Sequence, residues 1–395
     1  MQARAAEDRE DQQWPPAWLP ARVKYRRTHA NRERPVIPCC RWSRHILPVG
    51  LFVLLSCGTA DAQPSLALGA DVTFYGDNTE FRNPFREGET IFGAALRLSA
   101  ISEVSDRIAI TIGAFGNQRF GSDDGFELVR PILSLTVSGR RSRFVFGTFP
   151  VRSPETLSGP DLDGPHRLLP PIQRETLAFD RPYEAGLQWT FDGAHLTHDM
   201  WLEWQRLNTP EHRERFDGGF NARISPGGPL SFPIQVHIVH EGGQLFSSGP
   251  VADSGVISAG LRIAGSPLSL DSAALELIGL ASRFVPNRAQ DNRTRDGGAF
   301  FGQAEAEKRG WRAHLIVWRG KNFIKEEGDP NYQSIQRVGE IYRGTRDYAE
   351  AGLTRTFQLA PGVALAASGR LHRIESHYEY SYRVLALTSL RWRVR

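Results

Sequence analysis

The residues best suited to chemistry are histidines set beside acids. Two strings stand out, His237-Ile238-Val239-His240-Glu241 and His195-Leu196-Thr197-His198-Asp199. On an α-helix, histidines at i and i+3 share a face and could clasp a divalent ion, whereas on a β-strand they point to opposite faces. Neither string is the His-Glu-x-x-His in which two imidazoles hold zinc and the glutamate acts as base. Neither is expected to bind a metal. Serine, histidine and acids are plentiful, yet no Gly-x-Ser-x-Gly elbow is present, and a Ser–His pair formed across strands leaves no trace in spacing. The three cysteines, Cys39, Cys40 and Cys57, all precede Gln63. A chain cut before that residue has no thiol catalyst, disulfide or thiolate metal site. No cofactor is implied, and no enzymatic activity is expected.

The elements that must position any site begin with a leader. Ile46 to Leu55 is an apolar run preceded by Arg41 and Arg44 and followed by Ala60-Asp61-Ala62. That order of basic, apolar and small residues is the pattern of a secretory signal peptide, with cleavage after Ala62 leaving Gln63 as the first mature residue. Leu54-Leu55-Ser56-Cys57 offers a lipobox-like alternative with a lipidated Cys57. Residues 1–35 read as an N-terminal extension translated from a start assigned too early, 36–62 as the signal peptide and 63–395 as one mature domain. The first 62 residues hold 10 Lys+Arg and 6 Asp+Glu, which leaves 38 basic and 38 acidic of the chain's 48 and 44. The basic character belongs to the leader, so nothing points to a nucleic-acid partner.

Beyond residue 65 the pattern is alternation. Ile108, Ile110 and Ile112 take one parity against Ala109, Thr111 and Gly113, and Leu133, Leu135 and Val137 alternate with Ser134, Thr136 and Ser138. Successive side chains on a strand face opposite sides, so each such segment has one apolar and one polar or small face. Sixteen strands are predicted: 65–75, 90–101, 107–117, 126–138, 142–149, 182–192, 195–206, 216–225, 230–240, 254–264, 268–282, 297–308, 310–319, 346–357, 362–374 and 380–394. Most run about 10 to 13 residues, the length of a tilted bilayer crossing. Links after even strands are short turns, and those after odd strands are long except for 375–379. Short periplasmic turns, long outer loops and an even strand count define a transmembrane antiparallel up-and-down β-barrel. A soluble sandwich accounts for neither the loop asymmetry nor the strand lengths.

The longest connection between well-defined strands, 150–181, follows strand five. Here the chain resembles the sixteen-stranded general and substrate-selective porins of Gram-negative outer membranes, whose loop at that place narrows the pore. The resemblance covers 65–395 and rests on strand count, loop asymmetry and loop position. It implies an outer-membrane channel passing small hydrophilic solutes by diffusion, assembled by the barrel-assembly machinery, surrounded by lipid and lipopolysaccharide and able to form a homotrimer. A polysaccharide export barrel is the first alternative and a lipid-modifying enzyme of the outer membrane the second. In the porin reading Glu155, Asp161 and Asp163 on the loop face wall arginines chosen by strand parity: Arg97, Arg130, Arg223, Arg262, Arg312 and Arg370. Opposed charges across a narrow gap would order polar solutes. The plainer alternative pairs these arginines with the lumen acids Glu184, Glu203, Glu276, Glu305 and Glu350. Phe74, Tyr75, Phe144, Phe146, Trp201, Trp204, Tyr378, Tyr380, Tyr382 and Trp392 are expected in interfacial aromatic girdles. The chain ends Leu390-Arg391-Trp392-Arg393-Val394-Arg395, without the terminal aromatic residue common in such barrels.

Overall fold

The computed structural model describes residues 65–152, 164–267, 269–336 and 341–394. The expected leader and its cleavage residues Ala60, Ala62 and Gln63 lie outside the described residues, as do Glu155, Asp161 and Asp163. The chain divides into Met1–Gln63 and Pro64–Arg395, and the second unit is a closed barrel.

Its strands are β1 (Ser65–Glu80), β2 (Glu89–Ser105), β3 (Ile108–Arg119), β4 (Leu128–Ser138), β5 (Ser142–Pro150), β6 (Tyr183–Asp192), β7 (Leu196–Arg206) and β8 (Glu214–Gly227). They continue with β9 (Leu230–Gly242), β10 (Ala252–Gly265), β11 (Ser272–Val285), β12 (Arg295–Lys308), β13 (Trp311–Lys321), β16 (Thr345–Ala360), β17 (Val363–Ile374) and β18 (His377–Val394). A two-residue ladder, β14 (Ile335–Gln336) with β15 (Ile341–Tyr342), sits in the β13–β16 connection. Every neighbouring pair in the barrel is antiparallel, and β1 closes on β18 from Leu66↔Val394 to Glu80↔Tyr380. Sixteen strands therefore complete the wall, as the alternation predicts. Among the described residues no helix is long and apolar enough to cross a membrane.

β11 shows why these sequences make a wall. Ala274, Glu276, Ile278, Leu280 and Ser282 are buried toward the lumen while Leu275, Leu277, Gly279 and Ala281 face outward, a strict period of two. The outward set continues around the barrel as Leu68, Ile112, Leu133, Phe146, Met200, Ile257, Leu315 and Leu371, all exposed and apolar. Such a surface suits hydrocarbon, and closure leaves no strand edge unpaired within it. Gly147 marks one place where only glycine fits: its φ is +109°, and a Cβ there would lie 2.2 Å from the Leu133 carbonyl oxygen.

Strand β1 outruns the sequence-based expectation at the long-loop end. β1 extends through Gly76-Asp77-Asn78-Thr79-Glu80, which reads as a turn but pairs residue by residue with Val384 back to Tyr380. Tyr75 and Trp201, expected in the girdles, instead point inward and are buried. The other girdle residues, Phe74, Phe144, Phe146, Trp204, Tyr378, Tyr380, Tyr382 and Trp392, face outward and are exposed.

The core lies inside the barrel. Phe85 from the β1–β2 connection, Leu168, Leu169 and Ile172 from the β5–β6 connection, and Phe323 and Tyr332 from the β13–β16 connection pack together there. Against them lie the inward side chains Val145, Trp201, Ile278, Phe301, Trp318 and Tyr348. A sixteen-stranded cylinder is too wide for wall side chains to fill alone. Inserted loops supply the remaining apolar mass, each buried large side chain contributing about 1.5–3 kcal/mol.

Candidate functional site

Residues 164–182 cross the lumen, held from many sides at once. Asn221 Nδ2 donates to the His166 carbonyl at 2.8 Å, and the Leu169 N–H donates to Gln235 Oε1 at 3.0 Å. Asn117 Nδ2 donates to the Phe179 carbonyl. Glu175 accepts from Arg370 at 2.9 Å and Arg383 at 2.8 Å. Burial alone would raise the Glu175 pKa, but the two guanidinium groups overcome it and hold the carboxyl at about 2. The second inserted segment, 322–334, locks onto the first: Arg174 N–H donates to the Glu327 carbonyl and Asp329 N–H to the Pro170 carbonyl. Arg86 holds Asp329 at 2.8 Å.

Between this double plug and the last strands lies a polar cavity with about 30 Å³ of room for water, enough for one or two molecules. On its wall a serine, a histidine, a tyrosine and a glutamate form a chain. Glu350 on β16 is the direct cross-strand partner of His372 on β17, and Ser381 on β18 lies diagonally from that histidine. Ser381 Oγ is 2.8 Å from His372 Nε2, and His372 Nδ1 is 2.8 Å from the Tyr348 hydroxyl. That hydroxyl donates to Glu350 Oε2, which is itself 3.4 Å from His372 Nδ1. Tyrosine has one proton, so its oxygen can only accept from Nδ1–H. This fixes the imidazole tautomer with a free lone pair on Nε2, facing the serine hydroxyl.

Three further contacts make the arrangement rigid. His314 and Arg370 hold Glu350 at 2.8 and 3.5 Å, and Phe81 lies edge-on to His372 with ring centres 5.0 Å apart. Ser368 Oγ and Asn331 Oδ1 line the cavity without a hydrogen-bond partner in the protein. Arg86, Arg370 and Arg383 line it as well, each paired with an acid of the same lining: Asp329, Glu175 and Asp77 respectively. An orienting acid, a base and a hydroxyl in hydrogen-bond contact are the parts needed for nucleophilic attack on a carbonyl.

A second polar cluster lies under β6–β9. His166 is wedged between Asp199 at 2.7 Å and Glu184 at 2.9 Å and stacks on Trp201 with ring centres 3.7 Å apart. Burial disfavours its charge, yet the two carboxylates push its pKa up to about 10, so it is an imidazolium clamp with no lone pair to offer. Arg181 bridges Glu203 and Glu327 at 3.2 and 2.8 Å. Asp217, His237 and Glu327 place one ligand atom each within 4.8 Å of one another, and Glu184, Glu203 and Asp217 form a second such set.

The sequence-predicted wall arginines divide as follows. Arg97 pairs with Asp71 at 3.2 Å, Arg262 and Arg312 share Glu305 at 2.9 and 2.7 Å, and Arg370 meets Glu175 and Glu350. Arg130 and Arg223 are exposed on the inner parity of β4 and β8. Among the described residues, Arg370 meets the inserted loop through an ion pair with Glu175. His237 is buried inward and His240 lies on the other face against Asp253, the strand geometry expected of that string. Sequence reasoning missed Ser381, His372 and Tyr348. Inner-face parity in the last three strands, which had already singled out Glu350 and Arg370, was the signal available.

The architecture matches solved outer-membrane barrels. OmpTdeltaL8, the loop L8 deletion mutant of the Vibrio cholerae outer membrane protein OmpT, superposes with a TM-score of 0.53 at 9% identity, covering 83% of this chain and 100% of that one. The anion-selective porin from Comamonas acidovorans gives 0.50 at 12% identity, with 83% and 100% covered. At such identities the likeness defines the fold, and that fold is a porin-like outer-membrane barrel. A comparison with curated protein sequences gives no match. A family model, however, matches residues 58–393, and the chain belongs to that family, described as Lipid A 3'-O-deacylase-type. This membership overturns the expectation that the barrel is not an enzyme. That expectation rested on linear spacing, which does not register contacts formed through strand pairing.

Proposed function

We propose that this protein is an outer-membrane ester hydrolase that removes an acyl chain from a lipid A-type glycolipid, with Ser381 as nucleophile and His372 as general base. The observation that carries the reading is the 2.8 Å contact between Ser381 Oγ and His372 Nε2 on a cavity wall, in a chain of a deacylase-type family. In the reaction Ser381 Oγ attacks the ester carbonyl as its proton passes to His372 Nε2. The imidazolium is stabilised through Tyr348 by Glu350. The proton then goes to the departing sugar oxygen, leaving an acyl-serine and a free alcohol. Water, activated by the same imidazole, attacks the acyl-serine, releasing a fatty acid and restoring the serine.

The test uses purified barrel in detergent micelles with lipopolysaccharide as substrate and mass spectrometry of lipid A and free fatty acid. Wild type should shorten lipid A by one acyl group. Ser381→Ala and His372→Ala should each lower the rate by about 10³-fold or more while keeping heat-modifiable electrophoretic mobility. Undiminished activity in Ser381→Ala removes the assignment of the nucleophile, and absence of acyl release by wild type removes the hydrolase reading.

The porin-like wall and the loop across its lumen also support a second activity, diffusion of small hydrophilic solutes past a constriction formed by 150–181. In this reading Glu155, Asp161 and Asp163 face Arg97, Arg130, Arg223, Arg262, Arg312 and Arg370. Stepwise conductance in a planar bilayer that rises on deletion of 155–175 supports it, and an electrically silent barrel opposes it.

A further inference from the structure

The fully buried His237 has no hydrogen-bond partner on either ring nitrogen, and its Nε2 lies 3.7 Å from Asp217 Oδ2. Asp217 is equally buried, and its Oδ1 is also without a partner. An imidazole and a carboxylate oxygen orphaned side by side in the interior each carry an uncompensated desolvation cost, unless something else satisfies them.

Surrounding cations do not supply that partner. Arg181 and Arg215 both take Oε1 of Glu327, at 2.8 and 3.2 Å, and Gln205 takes Asp217 Oδ2 at 2.8 Å. Lys325, whose pKa burial lowers to about 8, donates to the Glu326 carbonyl. Gln173 donates to Glu327 Oε2 at 3.3 Å, and its own Oε1 is unpartnered.

We propose that Asp217, His237 and Glu327 bind one divalent transition-metal ion, zinc or manganese, with water completing its shell. Asp217 and His237 come from adjacent strands β8 and β9, in diagonal register through Gly219↔His237 and Asp217↔Val239. Glu327 arrives on the inserted β13–β16 connection. The ligand atoms already lie within 4.8 Å of one another. A tetrahedral ion with bonds of about 2.1 Å places its ligand atoms about 3.4 Å apart, so the Asp217–His237 separation needs only a few tenths of an ångström of contraction. The donor type decides the ion: one imidazole among carboxylates suits zinc or manganese, whereas calcium prefers six to eight oxygens. Such an ion would pin the 322–334 segment to the wall at β8 and β9, as a structural fastening. The inference rests on different residues from the hydrolase reading and stands or falls without it.

The test is metal content of the full-length barrel, refolded in micelles, loaded with Zn²⁺ or Mn²⁺ and dialysed against metal-free buffer. Wild type should retain about one equivalent of at least one of the two ions and melt at a higher temperature with it than after chelation. His237→Gln and Glu327→Gln should each weaken retention about tenfold or more and abolish the melting shift, with heat-modifiable mobility confirming that they fold. Wild type that retains neither ion, or retention that both substitutions leave unchanged, overturns the site and assigns its orphaned atoms to water.

Discussion

Replacing Glu175 by glutamine should loosen the lumen plug without dissolving the barrel. Glu175 is the carboxylate that Arg370 and Arg383 grip at 2.9 and 2.8 Å. Holding its pKa at about 2 rather than 4.5 is worth about 3 kcal/mol of folded-state preference for the ionised form. Breaking a buried pair by removing one partner costs a comparable 3–5 kcal/mol or so. Both arginines keep a second acid, Glu350 for Arg370 and Asp77 for Arg383. The net loss should therefore fall to about 2–3 kcal/mol, or roughly a 30- to 150-fold increase in the open population of the loop. Hydrogen exchange of peptides covering 164–181 reads this directly at neutral pH. The wild-type loop should show the same loosening on acidification: a depressed carboxyl contributes in full above about pH 4.5 and loses its contribution as pH falls through about 2. Exchange in Glu175→Gln within about threefold of wild type, or acceleration spread evenly over the strands, would refute the reasoning.

Tyr348→Phe removes the link between His372 Nδ1 and Glu350 and leaves the two 3.4 Å apart. It should lower kcat about 10- to 100-fold with KM within about twofold and shift the acid limb of the pH profile, whereas a purely packing role would leave that limb in place. Leu277→Arg puts a charge on the outward face near the middle of β11. It should destabilise the barrel by about 2–4 kcal/mol in denaturant titrations into lipid vesicles, and a neutral result would mean that this face does not meet hydrocarbon.

How legible the molecule was depends on the range of the interaction. Strand alternation is local, so β11 and its neighbours could be read to within a few residues, and loop asymmetry set the strand count. β1 was cut short at Tyr75 because Gly76-Asp77-Asn78 has turn chemistry. Pairing on both sides, with Val384 and Arg383 of β18 and with Phe92 and Ile91 of β2, keeps it extended. Tyr75 and Trp201 were placed in the girdles by their nearness to strand ends, whereas alternation with the outward Phe74 and Met200 turns both into the lumen. The apolar plug was hidden for another reason: Phe85 and Phe323 sit in segments without periodicity that read as outer loops, and 150–181, expected to narrow the pore, was read through its acids rather than through Ile172. The candidate site was least visible of all. Glu350, His372 and Ser381 are brought together by two hairpin registers, and no spacing rule encodes those.

The seam between β1 and β18 sets a condition on biogenesis. Fifteen consecutive residue pairs join the two ends of the described chain, so the first strand has no permanent neighbour on that side until the last has been delivered. Through the whole of export, some three hundred residues of alternating apolar sequence must be kept from pairing with one another or with other chains. The final strand then acts as the key that turns an open ribbon into a wall.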